Sequence, residues 1–264
     1  MDNDGTRSLF DQDQRIAIKF PDLQKEILPE VVRFTLAGPN GRGFIRYHWI
    51  NEENAADAIA GQVEHFRKLG IAFEWMVCQH DPFQGIKQYL EAAGFKPDLG
   101  PGDPGAVLSL DLNEASATLR GPIRADVRRI EEAGQLGDVI RVEEKVYGGS
   151  FGWIEGRLGA HLAFPGYLRI YAAYVEGEPA CAGWTYYAPD NAWGSLWGGS
   201  TIPEQRRRGL YSAVLAARVQ EAIRRGRRYL VVYASPQSRP ILEKHGFKLL
   251  TYACSYEWQP TGVE

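Results

Sequence analysis

Three consecutive arginines, Arg206, Arg207 and Arg208, stand directly before Gly209 at the junction of two elements. An aromatic, β-prone run from Asn191 to Thr201 leads in, and Pro203 ends it. A helical pattern leads out, with Leu215, Val219, Ala222 and Ile223 forming one apolar stripe. The first N–H groups of a helix have no acceptor within it, and they carry the positive end of its dipole. A strand that passes through a glycine turn into such a helix start brings backbone donors and three guanidinium groups to one place. That arrangement suits the retention of a phosphate group. The competing reading is a solvated basic face, which is what arginine runs before helices usually are.

The flanking chain supplies the elements that position this turn. Upstream, a strand near 124–130 precedes two short helices near 133–148 and 153–164. Two apolar runs, Tyr167 to Val175 and Pro179 to Tyr187, then form a hairpin closed by Glu176-Gly177-Glu178. Downstream come Gly226, a strand from Tyr229 to Tyr233, the turn Ala234-Ser235-Pro236, a short helix, Gly246-Phe247 and a last strand to Trp258.

The first half repeats that order. Residues 1–28 form a polar N-terminal arm with a helix from Thr6 to Ile18. Strands Val31 to Leu36 and Phe44 to Trp49 flank a Gly-Pro-Asn-Gly turn, and a helix from Glu53 to Leu69 ends at Gly70. A strand (Ala72 to Gln79), a helix (Phe83 to Ala93), Gly94-Phe95, a Pro/Gly-rich loop (Lys96 to Gly105) and a strand (Ala106 to Leu112) follow. Val63 to Val77 aligns without gaps on Val219 to Tyr233, and Leu90 to Lys96 matches Leu242 to Lys248. The expected domains are 29–112 and 123–260, joined by a small, polar linker at 113–122.

Strand, arginine-rich turn and helix together resemble the acyl-CoA-binding signature of the GNAT N-acetyltransferases. The family pattern Gln/Arg-x-x-Gly-x-Gly/Ala falls on Arg206, Gly209 and Tyr211, and the resemblance covers about 122–258. It implies an α/β (α+β) GNAT acyl-CoA N-acyltransferase fold: a mixed, mostly antiparallel sheet flanked by helices, with a second, incomplete GNAT-like domain at the N-terminus. It also implies acetyl-CoA (coenzyme A) as co-substrate. Gly199, Ser200 and Thr201 would pair with the pantetheine arm. Arg206, Arg207, Arg208, Gly209, Leu210, Tyr211 and Ser212 would hold the pyrophosphate. Tyr211 departs from the pattern, which has a small residue there. In the first copy Ile50, Asn51, Glu52 and Glu53 stand opposite Arg206 to Gly209, so that copy is expected to bind no coenzyme A.

Acyl transfer to an amine needs a base, stabilisation of the charge that develops on the thioester oxygen, and departure of the thiolate. Gly198-Gly199 would allow the strand to splay and expose a backbone amide. Glu155 and His161 on the second short helix are the base candidates, weighed against surface or capping roles. The family's usual acid, a tyrosine four residues before Gly-Phe, is replaced by Leu242, and its asparagine by Ser235. Ser235 and Tyr233 are then the nearest hydroxyls that could substitute. His80-Asp81 reads as a locally capped turn, and His48, His65 and His245 show neither pairing nor metal-ligand spacing. No metal site is expected.

At 264 residues and a net charge of −3, the chain carries no basic footprint for nucleic acid or an anionic membrane. Cys78, Cys181 and Cys254, an odd number in strand patterns, read as reduced thiols. Without a secretory signal or a run long enough to span a bilayer, the expected location is cytoplasmic. Three readings follow. The favoured one is an acyl-CoA-dependent N-acyltransferase acting on a small-molecule or peptide amine, with a homodimer compatible with the sequence. The second is a catalytically silent acyl-CoA sensor. The third is a phosphate-directed or RNA-binding module that uses Arg206 to Arg208 and the Arg224–Arg228 run.

Overall fold

The computed structural model describes residues 3–36, 38, 41–98 and 105–260. In the first half, helix α1 (Asn3–Phe10) runs on into a π-helical turn (Asp11–Ile16). Strands β1 (Gln24–Ile27), β2 (Val31–Leu36) and β3 (Arg42–His48), helix α2 (Ala55–Leu69), strand β4 (Ala72–Cys78), helix α3 (Ile86–Ala92) and strands β5 (Lys96–Pro97) and β6 (Gly105–Asp111) follow. In the second half come α4 (Ala117–Arg120), β7 (Asp126–Ile130), α5 (Leu136–Tyr147), α6 (Trp153–Leu162), β8 (Leu168–Val175), β9 (Glu178–Tyr186), β10 (Trp193–Thr201) and α7 (Leu210–Arg224). The chain then runs through β11 (Tyr229–Ala234), α8 (Arg239–Lys244) and β12 (Lys248–Trp258). The centre of the expected Gly-Pro-Asn-Gly turn and most of the Lys96–Gly105 loop lie outside the described residues. Among the described residues no helix is long and apolar enough to cross a membrane.

The chain divides into two compact units. The first comprises residues 1–107, 234–239 and 249–264, and the second residues 108–233 and 240–248. In the first unit the strand order is β1-β2-β3-β4-β12, with β5 pairing β12. Every pair is antiparallel except β3 with β4, which run parallel from Arg42↔Ala72 to Ile45↔Trp75. A parallel pair needs a crossover, and α2 supplies it. The helix ends where Gly70 turns left-handed at φ 67°. Its Phe66 stacks on Phe73 of β4 at 4.3 Å, inside a core that also holds Ile45, Trp75, Phe95 and Trp258.

The second unit has the order β11-β10-β9-β8-β7, again antiparallel except for one pair. Here β10 and β11 run parallel, with α7 as the crossover. The self-similar segments therefore fold as the same strand–helix–strand unit. Both Gly-Phe pairs also behave alike, since Gly94 and Gly246 take positive φ while Phe95 and Phe247 are buried. Among the described residues no strand pairs β1 on its outer side as β7 pairs β8, and β1 and β2 are joined by the short turn Leu28–Glu30.

These units are not the contiguous segments 29–112 and 123–260 of the sequence expectation. Residues 249–258 of β12 belong with the first unit, pairing Ala253↔Cys78 through Trp258↔Phe73, while residues 108–111 of β6 belong with the second. Each half thus gives its closing strand to the other unit. The expected linker is built in as well. It forms a 3-10 turn and α4, with Leu119 fully buried and Gln220 of α7 donating to the carbonyls of Leu119 and Gly121 at 3.1 and 2.8 Å.

The N-terminal arm is fixed by charge. The Arg15 side chain, 1% exposed, bonds both Asp81 oxygens (2.6 and 2.9 Å), Asp11 (2.7 Å) and the Arg46 carbonyl (2.9 Å). Asp81 also accepts the Cys78 N–H at 2.8 Å, and His48 Nε2 lies 3.3 Å from it. His80 bridges Asp11 (2.9 Å) and Thr251 (2.8 Å). His80-Asp81 is therefore a tertiary junction as well as a capped turn, and His48 does pair. Burial acts to raise the Asp81 carboxyl, but the contacts from His48 and Arg15 outweigh it and hold the group well below the usual carboxylate range. Removing one partner of a buried pair leaves a charge uncompensated. Arg15→Ala should therefore cost about 3–5 kcal/mol of first-unit stability in chemical denaturation at pH 7. Asp81 is depressed, so its contribution is present at neutral pH and fades as pH falls below about 4. A loss below about 1 kcal/mol at pH 7 would contradict this account.

Candidate functional site

Strand β10 changes partners along its length. It pairs with β11 only from Trp193↔Tyr229 to Leu196↔Val232, yet continues against β9 as far as Thr201↔Cys181. From Trp197 onward it is no longer paired with β11, so the parallel pair splits there. The register against β9 shifts between Gly198 and Ser200, and both glycines have positive φ, 64° and 100°. The expected splay thus coincides with a β-bulge that two adjacent glycines make affordable. The first residues past the split on either strand, Trp197 and Tyr233, are 48% and 42% exposed.

Beyond β10, residues Pro203–Gln205 form a 3-10 turn, and the chain passes through Arg207 (φ 63°) and Gly209 (φ 77°) into α7. Gly209 is the N-cap and has no side chain to cap with, and the first helical bond runs from the Ala213 N–H to the Gly209 carbonyl. The amides of Leu210, Tyr211 and Ser212 therefore have no acceptor within the helix, and its first turn carries no acid. Arg206 donates to the Thr201 carbonyl at 3.1 Å and Arg208 bonds Gln205, so both brace the turn whose surface they charge.

Tyr211 has a structural explanation. A Cβ at Gly199 would meet the Tyr211 ring at 3.0 Å, so the missing side chain on the strand makes room for the large one on the helix. The ring packs on the cluster of Tyr171, Ala173, Cys181 and Val214, and burial raises its hydroxyl pKa. Ser212 Oγ lies 2.9 Å from His245 Nε2, which ties the start of α7 to the turn after α8. His245 is therefore paired, contrary to the sequence expectation. Burial and the neighbouring Lys244 lower its pKa.

The equivalent turn in the first unit is built differently. Asn51 Oδ1 accepts the N–H groups of Glu53 (3.0 Å) and Asn54 (3.1 Å), and Asn54 Oδ1 accepts that of Asn51 (2.8 Å). Side-chain oxygens take these turn donors, although Asn54 makes no side-chain cap to the helix itself. Glu52, Glu53 and Asp57 then surround the helix start with exposed carboxylates.

The catalytic candidates are scattered. Glu155 lies on the exposed side of α6, whose buried face is Ile154, Leu158 and His161; an exposed acid in the first turn is explained by the helix dipole. His161 is a core residue, its Nδ1 3.0 Å from the Tyr186 hydroxyl and its ring edge-on to Tyr167 and Tyr186. Ser235 belongs with the first unit, where its Oγ accepts the Ser238 N–H at 3.2 Å and contacts Ser238 Oγ at 3.1 Å before α8. Leu242 is fully buried. The arginines of 224–228 are engaged within the fold. Arg224 and Arg225 bond Glu221 (2.7 and 2.6 Å), Arg227 bonds the Asn191 carbonyl, and Arg228 bonds Asp111 (2.6 Å).

One carboxylate escaped sequence reasoning. Glu143, 4% exposed, extends the buried stripe of Leu136, Val139 and Val142 on α5. Ser200 Oγ, on the bulged strand, donates to its Oε2 at 3.1 Å, while Oε1 is buried without a partner. Burial pushes the Glu143 carboxyl up to about 6, against the pull of the Ser200 bond. The available signal was a carboxylate four residues after Val139, inside an apolar stripe.

No protein-family model matches the chain, and neither does any curated protein. Solved structures do match in fold. A GCN5-related N-acetyltransferase from Kribbella flavida superimposes with a TM-score of 0.68 at 13% identity, over 98% of this chain and 95% of that one. A tandem GNAT protein from the clavulanic acid biosynthesis pathway matches with a TM-score of 0.62 at 12% identity, over 94% and 87%. A GCN5-related N-acetyltransferase from Sphaerobacter thermophilus gives 0.58 at 11% identity, over 89% and 78%. The chain has the GNAT N-acetyltransferase fold in a tandem arrangement.

A carboxyl raised from 4.5 to about 6 on folding favours the folded state while protonated and weakens it as pH climbs through that interval. At about 1.36 kcal/mol per pH unit, ionising Glu143 costs about 2 kcal/mol above pH 6. Glu143→Gln should therefore match the wild type in thermal or chemical denaturation at pH 7.5, or exceed it by up to about 2 kcal/mol. Its advantage should vanish near pH 4.5. A variant clearly less stable than wild type at pH 7.5 would contradict the assignment.

Proposed function

We propose that the chain is an acyl-CoA-dependent N-acyltransferase that moves an acetyl group from acetyl-CoA to an amine by direct attack. The observation that carries this reading is the uncapped, acid-free start of α7, placed directly after a strand that has left its parallel partner. An acyl-CoA needs both features: donors for its pyrophosphate and an open strand edge for its pantetheine amides. The amides of Leu210 to Ser212 with Arg206, Arg207, Arg208 and Gly209 would take the first, and Gly199, Ser200 and Thr201 the second. The first unit, with acids around its helix start, binds no cofactor and serves as scaffold.

In the reaction the amine nitrogen attacks the thioester carbon, the carbonyl electron pair moves onto oxygen, and collapse breaks the C–S bond. A backbone amide of the Gly198–Gly199 bulge is suited to receive the oxyanion. Glu143 is a stronger base candidate than the exposed Glu155. Buried and pushed up to about 6, it takes the amine proton through Ser200, which places an acid limb near pH 6 in kcat/KM. The thiolate leaves with the C–S electron pair. Leu242 supplies no proton for it, and Tyr233 and Ser235 are the hydroxyls proposed to do so. An ordinary thiol pKa of about 8.5 means that water can also complete this step, so the missing tyrosine slows the enzyme without silencing it.

The sensor reading draws on one observation, the buried Leu242 in place of the usual acid. Incubation with acetyl-CoA and a panel of small-molecule and peptide amines, with thiol release as the readout, separates the two. Turnover with at least one amine is expected, and Tyr233→Phe or Ser235→Ala should lower kcat more than KM, by no more than about 10²–10⁴-fold. If the protein binds acetyl-CoA and no amine releases thiol, the sensor reading stands. If both variants match wild type on a true acceptor, solvent is the acid.

A further inference from the structure

Arg218, in the middle of α7, is 2% exposed and has no carboxylate partner among the described residues. Its Nε donates to Thr185 Oγ1 at 3.1 Å, and one terminal nitrogen donates to the carbonyls of Trp184 (2.7 Å) and Trp197 (3.0 Å). The other terminal nitrogen would lie 2.8 Å from a Cβ at Gly183 and 3.8 Å from one at Gly199. The guanidinium therefore sits directly beneath the bulge, on the face that α7 covers. Tyr211, Tyr187 and Cys181 are the titratable groups around it. Burial raises the pKa of all three, to about 11 for Cys181, so none is an anion at neutral pH. Burying a cation among neutral groups is costly, and an apolar side chain would fill the same space without that cost. The charge is placed where the split strand would meet an acyl group.

We propose that Arg218 is a positioning residue for acyl transfer: it holds the Trp197 carbonyl toward α7 and lends its buried positive charge to the split, favouring negative charge on the thioester oxygen and on the departing sulfur. This rests on the acyl-CoA reading. The guanidinium acts through the strand backbone and touches no reacting atom. It keeps its proton throughout, since an arginine does not deprotonate in proteins. Its field falls on the oxygen that gains an electron pair when the amine attacks, and on the sulfur that keeps the pair when the C–S bond breaks. Buried beneath the strand, such a charge is screened less than one at the surface.

A merely structural arginine would hold the strands together but leave the bound thiol unshifted. The direct test is the ultraviolet titration of coenzyme A thiolate bound to the full chain, in wild type, Arg218→Lys and Arg218→Gln. Saturating binding is first established by calorimetry. Wild type is expected to lower the bound thiol pKa by at least one unit relative to coenzyme A in solution, a tenfold gain in thiolate near neutral pH. Lys should retain most of that gain, and Gln, which keeps hydrogen-bonding capacity without charge, should lose it. With a true acceptor, Gln should lower kcat about tenfold or more while KM for acetyl-CoA changes less than about threefold. A wild-type complex whose thiol titrates as in solution, or Lys and Gln complexes with equal thiol pKa, would overturn the role of Arg218 while leaving the acyl-CoA site intact. Absence of saturable coenzyme A binding to wild type would defeat the acyl-CoA reading itself, and this inference with it.

Discussion

Between Leu196 and Trp197, strand β10 stops pairing with β11 while it goes on pairing with β9. Everything proposed for the second unit depends on that divergence. A regular parallel pair would bury its backbone donors and acceptors in the ladder and leave none for a ligand. The divergence is made by Gly198 and Gly199, whose positive φ values insert an extra residue and turn the strand. Gly199 admits the Tyr211 ring, Gly198 the Trp184 ring, and Gly183 on the neighbouring strand the Arg218 guanidinium. On the opposite face Ser200 fastens the strand to Glu143. A weakness in the sheet is thus braced from both faces by polar contacts of kinds that an ordinary core avoids.

The two halves of the chain show what distinguishes a ligand-ready helix start from an ordinary one. Both place a 15-residue crossover helix between parallel strands. Neither helix has a side-chain cap, but before α2 asparagine side chains order the turn and carboxylates surround the helix start. Before α7, a glycine cap and arginines leave the donors open and positively charged. The fold supplies the helix dipole in both places, but side-chain chemistry decides whether an anion can use it.

Much of the fold was legible because it follows local rules. Gly70, Gly94 and Gly246 mark turns that need left-handed backbone, and the match of Val63 to Val77 with Val219 to Tyr233 reflects one packing solution used twice. The arginine turn was legible because its residue types contrast with their surroundings. The exchange of closing strands was not. The alternation in β12 would suit pairing with β4 or with β11, and only tertiary packing selects between them. Glu143 and Arg218 were hidden for a related reason. Each occupies a buried position on a helix whose inward residues are mostly apolar (Glu221 is the other exception on α7), so periodicity assigns the position to the core and says nothing of its charge. The eight aromatics from Tyr167 to Trp197 carry no sequence signal that separates core from surface either. Six are buried, Tyr186 is half-buried, and Trp197 stands out at the split.

The central claim is that one acyl-CoA binds at the start of α7 and none at the start of α2. Calorimetric titration of the full chain with acetyl-CoA, in wild type and Gly209→Val, tests it most directly. A β-branched residue cannot adopt the left-handed conformation of Gly209 without strain, and the space around that position is otherwise open, so the damage stays local to the turn. The account predicts one site per wild-type chain, abolished in a Gly209→Val protein that remains folded. Two equivalent sites per chain, or an affinity unchanged in the folded variant, would contradict it.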